Sequence, residues 1–377
     1  MKLLIAGSYR GGYRTVIDGL ATVLTQQGID VNVLGTHYDG SHLDVPYDLM
    51  ASNWEYIPVQ LNAIQRHMAH EHVLLVGDIP NLLPVLKNLE WKPACLFPVE
   101  SDPLHQAWVT DLKEHQCFTF TRFGEEQCHL ADLSVVRIGI GLDPFWSPDT
   151  RELAREILGL PVDQPIILTV SDNQFRKGLP IGLKAISELP FGCIYVVVTT
   201  PGEWDLMELA ERYRIQGEII ILDSRTIGHR ILREYYRAAD LLLSTSMAEG
   251  VGFPLYEAQA CGTPVVAVRS TSVSEAVRYG ELVEPSQTIV STFGNTRHYL
   301  ADSREIAKAI VRTIGQKTIR PLSVKFDSWE VPAQRLWEAL QNDRHRYAGE
   351  GQYSDDHRGD TVTEEEHVRE VPSYSHV

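Results

Sequence analysis

Residues 240–268 constrain the fold more than any other part of the chain. They begin with a short apolar run, 240–244, which predicts a buried parallel strand. After a Gly-rich loop, Pro254 opens a predicted helix that ends at Gly262, because proline suits a first helical turn and glycine suits a helix C-terminus. The next apolar run, Val265–Val268, predicts a second strand. Strand, loop, helix and strand in this order are typical of an α/β fold with a parallel sheet.

The loop of this stretch lies at the carboxyl end of a predicted strand, where open α/β sheets bind ligands. The unpaired N–H groups of Gly252 and Phe253 suit an anion such as a diphosphate. Glu249 and Glu257 lie eight positions apart, and a carboxylate can accept hydrogen bonds from the two hydroxyls of a sugar or a ribose diol. One glutamate alone is ordinarily a solvated surface charge. Two that frame a Gly/Pro loop between strands favour a binding site.

The stretch resembles the E-x7-E signature of retaining nucleotide-sugar glycosyltransferases with the GT-B fold, the glycosyl transferases group 1 family. The Gly-Phe-Pro at 252–254 and the Cys-Gly-Thr-Pro-Val-Val at 261–266 extend the resemblance. It reaches to about residue 341 and is strongest in the C-terminal half. The resemblance implies two Rossmann-like, doubly wound parallel-sheet domains that face an interdomain cleft, with a C-terminal helix that crosses back to the first domain.

We predict four segments along the 377 residues. Residues 1–148 form an acceptor-side domain, and residues 149–325 form a nucleotide-sugar-binding domain, because two prolines and a charged stretch mark a linker near 148. Residues 326–341 form the crossover helix. Residues 342–377 are polar and charged, which predicts a disordered acidic tail.

A basic pair, Arg176 and Lys177, precedes a predicted helix in the second domain. Two cations at a helix N-terminus oppose the local dipole, which favours a bound anion between them over a plain surface pair. The family resembled here places an arginine five residues before a lysine in this loop. Lys177 matches that lysine, but Asp172 stands at the arginine position. We therefore expect Arg176 to substitute for the missing cation.

Two loops of the first domain follow predicted strands. Gly11 and Gly12 lie between a strand and a helix, but their loop is not a G-x-G-x-x-G fingerprint. The resemblance implies that this Gly-Gly loop faces the donor diphosphate. Glu100, Asp102 and His105 also lie at a strand's carboxyl end, where acceptor groups or ordinary loop contacts are equally expected. Many members of the family carry a histidine near this place that contacts the transferred sugar.

The resemblance implies a role for each candidate residue. Lys177 and Arg176 hold the diphosphate, Glu249 binds sugar hydroxyls and Glu257 binds the ribose diol. Candidate catalytic residues are Glu249, Lys177, Arg176 and His105. Candidate donor-binding residues are Gly11, Gly12, Arg176, Lys177, Glu249, Gly250, Gly252, Phe253, Pro254, Leu255 and Glu257.

Composition disfavours several alternatives. Residues 1–150 hold 9 Lys and Arg against 18 Asp and Glu, which disfavours a polyanionic acceptor such as nucleic acid or an anionic membrane surface. No apolar run approaches the roughly 20 residues of a membrane span. Five cysteines without paired spacing indicate reduced thiols and a cytoplasmic protein. The absence of an Asp-x-Asp pair predicts that neither a metal nor a cofactor is used.

The resemblance implies a hexosyltransferase that moves a sugar from a UDP- or GDP-sugar to an unidentified acceptor hydroxyl with retention of configuration. It also implies that the leaving phosphate itself takes the acceptor's proton. The missing Asp-x-Asp pair predicts that this transfer needs no metal. Three rivals remain open. One is a nucleotide-sugar epimerase of similar architecture, and another is a sugar transferase that acts on modified nucleic-acid bases. The third is a catalytically silent nucleotide-sugar-binding module, which the departure at Asp172 supports.

Overall fold

The computed structural model describes residues 1–38, 40, 43–68, 70–291, 296–315, 324–342 and 369–370. They form a seven-stranded sheet, a six-stranded sheet and a small three-stranded sheet. The strands of both large sheets are parallel, and the helices follow them in alternation, as predicted. None of the helices among these residues is both long and apolar enough to cross a membrane.

The first sheet is built from the N-terminal half of the chain. Its seven strands are β1 Lys2–Ser8, β2 Asp30–Thr36, β3 Asp48–Ser52, β4 His72–Val76, β5 Ala94–Leu96, β6 Cys117–Thr119 and β7 Val136–Arg137, in the order β3-β2-β1-β4-β5-β6-β7. The interior strand β1 is buried on both faces, which explains its unbroken apolar run. Strand β3 is not apparent in the sequence, because it lies at the edge of the sheet and is only partly buried.

Five helices cover this sheet. They are α1 Gly11–Gln26, α2 Ile57–Met68, α3 Ile79–Leu86, α4 Gln106–Leu112 and α5 Arg122–Leu130. In α1 the apolar side chains of Val16, Leu20 and Leu24 are buried at helical spacing, so that one face of the helix packs on the sheet. Helix α1 begins directly after β1, which places its N-terminus at the carboxyl edge of the sheet.

The second sheet is built from the C-terminal half. Its strands are β8 Ile166–Val170, β9 Cys193–Thr199, β10 Gly217–Asp223, β11 Leu241–Ser244, β12 Val265–Val268 and β13 Gly280–Val283, in the order β10-β9-β8-β11-β12-β13. Its helices are α6 Arg151–Leu158, α7 Leu179–Ser187, α8 Leu206–Tyr213, α9 His229–Ala238, α10 Phe253–Ala260, α11 Val273–Ala276 and α12 Ser303–Gly315. The strand order reverses between β8 and β11, and ligands of open α/β sheets bind at such a switch point.

Two segments differ from the sequence prediction. Residues 285–300 are polar, and their sequence predicts an irregular segment. The structure instead contains the antiparallel pair β14 Gln287–Ser291 and β15 Thr296–Leu300, with β16 Arg369–Glu370 beside β14. The side chains of β14 and β15 are mostly half-buried or exposed, so these two strands carry little apolar alternation. Helix α6 occupies the predicted linker. Its Arg155 is only 2% exposed, because its guanidinium pairs with Asp240 at 2.8 Å.

The last long helix, α13 Glu330–Gln341, packs against the first domain. Trp329 at its start lies so close to Gly19 and Gly141 that a Cβ on either glycine would come within 2.5 Å of the indole ring. The Gln116 side chain donates to the Ala339 carbonyl at 2.8 Å. The predicted tail, 342–377, lies outside the described residues apart from Asn342 and β16.

Candidate functional site

Two loops of the second domain meet at the switch point between β8 and β11. The first loop contains a turn of 3-10 helix, Phe175–Lys177, and the second runs from β11 to α10. The Met247 N–H donates to the Arg176 carbonyl at 2.7 Å, which joins the loops. Gly178 has φ +63°, and a Cβ there would lie 2.3 Å from the Thr245 carbonyl oxygen. The glycine therefore allows the two backbones to approach closely.

The paired loops bring the predicted basic pair against the first signature glutamate. The Lys177 ammonium lies 2.6 Å from Glu249, and the Arg176 guanidinium lies 3.6 Å from it. Burial acts to raise the pKa of Glu249, but the Lys177 and Arg176 charges outweigh it and lower that pKa. Glu249 is therefore held as a carboxylate inside the protein.

The second signature glutamate has a different environment. Glu257 lies inside α10 and is 8% exposed. It accepts a hydrogen bond from the Tyr236 hydroxyl at 2.7 Å. Burial raises the pKa of Glu257 to about 7, against the opposing effect of the Tyr236 hydrogen bond. No cation contacts this carboxylate among the described residues, which explains the difference from Glu249.

The start of α10 has the free donors that an anion site requires. Gly252 caps the helix in the left-handed region at φ +74°, and Pro254 lies in the first turn. Within the described chain, the N–H groups of Gly252 and Phe253 have no hydrogen-bond partner. The Leu255 N–H is already donated to the Gly252 carbonyl at 2.9 Å, and its side chain is buried in the core. Leu255 therefore packs α10 against the core, and its backbone N–H is not free to bind a donor substrate.

The first domain lies directly against this loop. A Cβ at Gly250 would come within 2.5 Å of Pro98. A Cβ at Gly12 would lie 3.2 Å from the Phe253 ring. Gly11 has φ +55° and open space around it. Gly250 is thus required by the close approach of the two domains, and Gly12 packs closely against the same loop, contacts that the sequence alone does not reveal.

A carboxylate of the first domain also enters the cluster. The Glu100 side chain lies 3.0 Å from the Arg176 guanidinium. Asp78 contributes a further negative charge nearby and accepts a hydrogen bond from the Tyr13 hydroxyl. The sequence pointed to Glu100 only as one of three polar groups after a strand, because its distance to Arg176 depends on how the domains pack.

His105 is not brought into this cluster. It precedes α4, and its ring lies 5.3 Å from the Trp108 ring. It lines a cavity of about 420 Å³ together with residues of the loop before α4 and of α5, namely Asp102, Pro103, Leu104, Gln106, Gln127, Leu130 and Ala131. None of the predicted donor-binding residues lines that cavity.

The β14–β15 hairpin connects the two domains beside the cluster. The Asp102 carboxylate accepts a hydrogen bond from the Tyr299 hydroxyl. The Asp102 backbone N–H donates to the Thr296 hydroxyl at 2.8 Å. The His298 ring lies 6.2 Å from the Phe175 ring. Burial, with a smaller effect from Arg176, lowers the pKa of His298 to about 4. The irregular segment expected at 285–300 is therefore part of the wall around the candidate site.

The side chains that could bind a metal are also limited. In the part of the chain that the structure describes, no group of three or more His, Cys, Asp or Glu side chains is arranged to hold a metal ion. The five cysteines are all buried free thiols. The carboxylates of the cluster are instead paired with Arg176 and Lys177.

Comparison with known proteins identifies the second domain. Residues 150–305 match the family model described as "Glycosyl transferases group 1". This part of the chain is therefore similar to the group 1 glycosyltransferases. Both Glu249 and Glu257, as well as Arg176 and Lys177, lie inside the matched residues.

Similarity to curated proteins likewise covers less than half of the chain. D-inositol 3-phosphate glycosyltransferase from Mycobacterium tuberculosis is 37% identical to this chain over 155 residues, which is 40% of the chain and 32% of that relative. The relative from Mycobacterium bovis shows the same identity and coverage. The match therefore spans about a third of the length of these relatives.

Solved structures match almost the whole fold. Sucrose-phosphate synthase from Thermosynechococcus elongatus superimposes with a TM-score of 0.67 at 17% identity, and the match covers 90% of this chain and 94% of that chain. HepE from Anabaena in complex with UDP and glucose gives a TM-score of 0.62 at 17% identity, over 90% and 95% of the two chains. The chain has the two-domain α/β architecture of GT-B proteins, as predicted.

The structure shows the surroundings of Asp172, the residue that departs from the family pattern. Asp172, which stands where the resemblance implies an arginine, is exposed on the loop after β8. Its carboxylate lies 3.4 Å from the Thr200 hydroxyl. Arg176 is instead the cation that joins Lys177 at Glu249, so the basic charge is present at a different position in the same loop.

Proposed function

We propose that the chain is a glycosyltransferase that moves a sugar from a nucleoside-diphosphate donor to an acceptor hydroxyl. The observation that carries this proposal is the cluster of Lys177, Arg176 and Glu249 at the switch point of a group 1 domain. Charged residues of one domain face polar groups of the other there, as a two-substrate reaction between domains requires. The acceptor hydroxyl is unidentified.

In this proposal the donor diphosphate binds Arg176, Lys177 and the free N–H groups of Gly252 and Phe253. The two cations and the helix N-terminus stabilise the negative charge that develops on the leaving group, without a metal or a resident cofactor. Glu249, whose carboxylate is fixed by Lys177, accepts hydroxyls of the transferred sugar. Glu257 accepts the ribose hydroxyls, and Gly11 and Gly12 form the opposite wall of the cleft.

The reaction details rest on the family. Retention of the anomeric configuration and transfer of a hexosyl group are the expectations for group 1 glycosyltransferases, with the leaving phosphate taking the acceptor's proton. HepE was crystallised with UDP and glucose, which favours a UDP-sugar over a GDP-sugar. We propose a cytoplasmic location because the five cysteines are reduced and nucleotide sugars are the substrates.

A thermal-shift screen tests the donor site. The protein is incubated with a panel of UDP- and GDP-sugars in EDTA, beside Glu257→Ala and the surface control Glu284→Ala. A ligand at a hundred times its dissociation constant adds about 2.7 kcal/mol. We expect one nucleotide sugar to stabilise the wild type and Glu284→Ala, but not Glu257→Ala. If no nucleotide sugar stabilises the wild type, the proposed donor site is wrong.

The identified donor is then incubated with the protein alone and with hydroxyl acceptors, and the anomeric configuration of the product is read by proton NMR. Transfer with retained configuration is the expected result. Conversion of the donor sugar without any acceptor would instead identify an epimerase. Binding without turnover against every acceptor would favour a silent binding module.

A further inference from the structure

The Glu100 carboxylate differs from the other carboxylates of the cluster in its partners. Glu249 is paired with Lys177 at 2.6 Å, and Asp78 accepts the Tyr13 hydroxyl. Within the described residues, Glu100 has one side-chain partner, the Arg176 guanidinium at 3.0 Å. Glu100 belongs to the first domain and Arg176 to the second, so this ion pair crosses the cleft.

The negative charges around Arg176 already outnumber the positive ones. Three carboxylates, those of Glu100, Glu249 and Asp78, act on Arg176, whereas Lys177 is the other cation of the cluster. Burial acts to lower the pKa of Arg176, and these three carboxylates together raise it. A donor diphosphate adds about two negative charges to the same place. One existing carboxylate must therefore give up its cation when the donor binds.

The geometry of the guanidinium shows which carboxylate that is. The Nη1 atom of Arg176 donates to the Ala248 carbonyl at 3.1 Å and lies 3.6 Å from Glu249. The Nη2 atom faces Glu100 at 3.0 Å. A guanidinium binds phosphate best through a fork of two N–H groups. The Nη2 that a diphosphate needs is thus the one that Glu100 holds.

We propose that Glu100 is a positioning residue that pairs with Arg176 until the donor diphosphate displaces it. This inference rests on the proposed function, because it assumes that a nucleoside diphosphate binds at Arg176. Glu100 stands in for the diphosphate: it fixes the guanidinium in the cleft and competes with the incoming donor. Donor binding then breaks an ion pair between the domains and releases the first-domain carboxylate.

Isothermal titration calorimetry with UDP and GDP tests this exchange. Glu100→Gln keeps the shape of the side chain and removes the competing charge. An ion pair of this partial exposure is worth up to about 1 kcal/mol, so we expect the dissociation constant of the bound diphosphate to fall by about three- to fivefold. A side chain with only a structural role would weaken binding when replaced. Glu100→Asp retains the charge and is expected to bind close to the wild type.

Asp102→Asn is the matched control. Asp102 also connects the domains, through Tyr299 and Arg297, but it does not contact Arg176. We expect this variant to leave the diphosphate affinity within twofold of the wild type. Equal tightening in Asp102→Asn would show that looser domains explain the effect, and would overturn the exchange.

The failures of the two proposals are distinguishable. If the wild type binds UDP or GDP but Glu100→Gln binds with the same or lower affinity, the exchange is wrong and the proposed function stands. If the wild type binds neither nucleotide while remaining folded, the proposed donor site is wrong, and the exchange fails with it.

Discussion

The two ends of the Glu249–Glu257 stretch place the same side chain in opposite electrostatic environments. Both glutamates are buried, at 8% exposure each. Glu249, on the loop, is paired with Lys177 and Arg176, and its pKa is lowered despite burial. Glu257, in the helix, has the neutral Tyr236 hydroxyl as its partner, and burial raises its pKa to about 7.

The difference shows that burial alone does not decide the charge of a carboxylate. Burial disfavours the charged form in both cases, and a cation within about 4 Å reverses the outcome. The cations of Glu249 come from a neighbouring loop, whereas α9 provides Glu257 with a hydroxyl. Glu249 is therefore held in the charged form at neutral pH, while Glu257 lies near the midpoint of its titration.

The largest effect is expected when Glu249 loses its closest cation. Lys177→Met keeps the length of the side chain but leaves a buried carboxylate whose nearest remaining cation among the described residues is Arg176, at 3.6 Å. Breaking a buried ion pair on one side costs about 3–5 kcal/mol. We expect a loss near the lower end of this range in urea denaturation followed by tryptophan fluorescence.

Two controls sharpen that result. Lys308 forms a pair of the same 2.6 Å length with Glu305 on the exposed surface of α12, so Lys308→Met should cost less than about 1 kcal/mol. The double variant Lys177→Met/Glu249→Gln removes both charges and should recover much of the stability. Equal losses for Lys177→Met and Lys308→Met would contradict the special environment of Glu249.

The pH dependence of stability is expected to have opposite signs at the two glutamates. The pKa of Glu257 is raised from 4.5 to about 7 in the folded state. Between these values the folded state holds a proton that the unfolded state has released. Its contribution to stability is thus fully present below pH 4.5 and is lost as the pH rises through 7, to the extent of roughly 3 kcal/mol.

Melting temperatures of the wild type and Glu257→Gln between pH 4.5 and 8 measure this contribution. We expect the wild type to lose stability relative to Glu257→Gln as the pH rises. Glu249→Gln is the opposite case, because a lowered pKa stabilises above the unfolded value and this stability is lost on acidification. Parallel curves for Glu257→Gln and the wild type would show that Glu257 titrates normally.

The smallest effect concerns the hydroxyl that supports Glu257. Tyr236→Phe removes a hydrogen bond of 2.7 Å to the carboxylate, which should cost about 1.5 kcal/mol and raise the pKa of Glu257 further. Tyr195→Phe is the control, since Tyr195 bonds to the neutral Thr169 hydroxyl at 2.9 Å. It should cost about 1 kcal/mol without moving the pH midpoint. The pH midpoint of the stability curve measures the difference.

Much of the fold could be predicted because its signals are local. The apolar runs of β1, β8, β11 and β12 and the helical spacing of α1 are read directly from neighbouring residues. The hairpin β14–β15 could not be predicted, because its partly exposed strands lack apolar alternation. Helix α6 was missed for a similar reason. Its buried Arg155 reads as a surface residue until Asp240, 85 positions away, is placed beside it.

The candidate site also has parts that local sequence predicts and parts that depend on how the domains pack. The sequence indicated that Arg176, Lys177, Glu249 and Glu257 belong to one site. The first three occupy loops at predicted strand ends, and Glu257 lies in the helix that follows the second loop. It assigned a sugar-contacting role to His105, whereas the structure places Glu100 against Arg176 and His105 at a separate cavity. Gly12 and Gly250 were predicted to bind the donor, and the structure places both at the contact between the domains.

By itself, the sequence determined the alternation of strands and helices, the position of the Gly-rich loop and the choice of charged residues beside it. These properties depend on residues that are close together in the sequence. Only the tertiary structure decided which glutamate is charged, which carboxylate holds Arg176 and how closely the domains meet. The physical reason is distance along the chain: Lys177 and Glu249 are 72 residues apart, and both burial and Coulomb interactions depend on side chains that folding alone brings together.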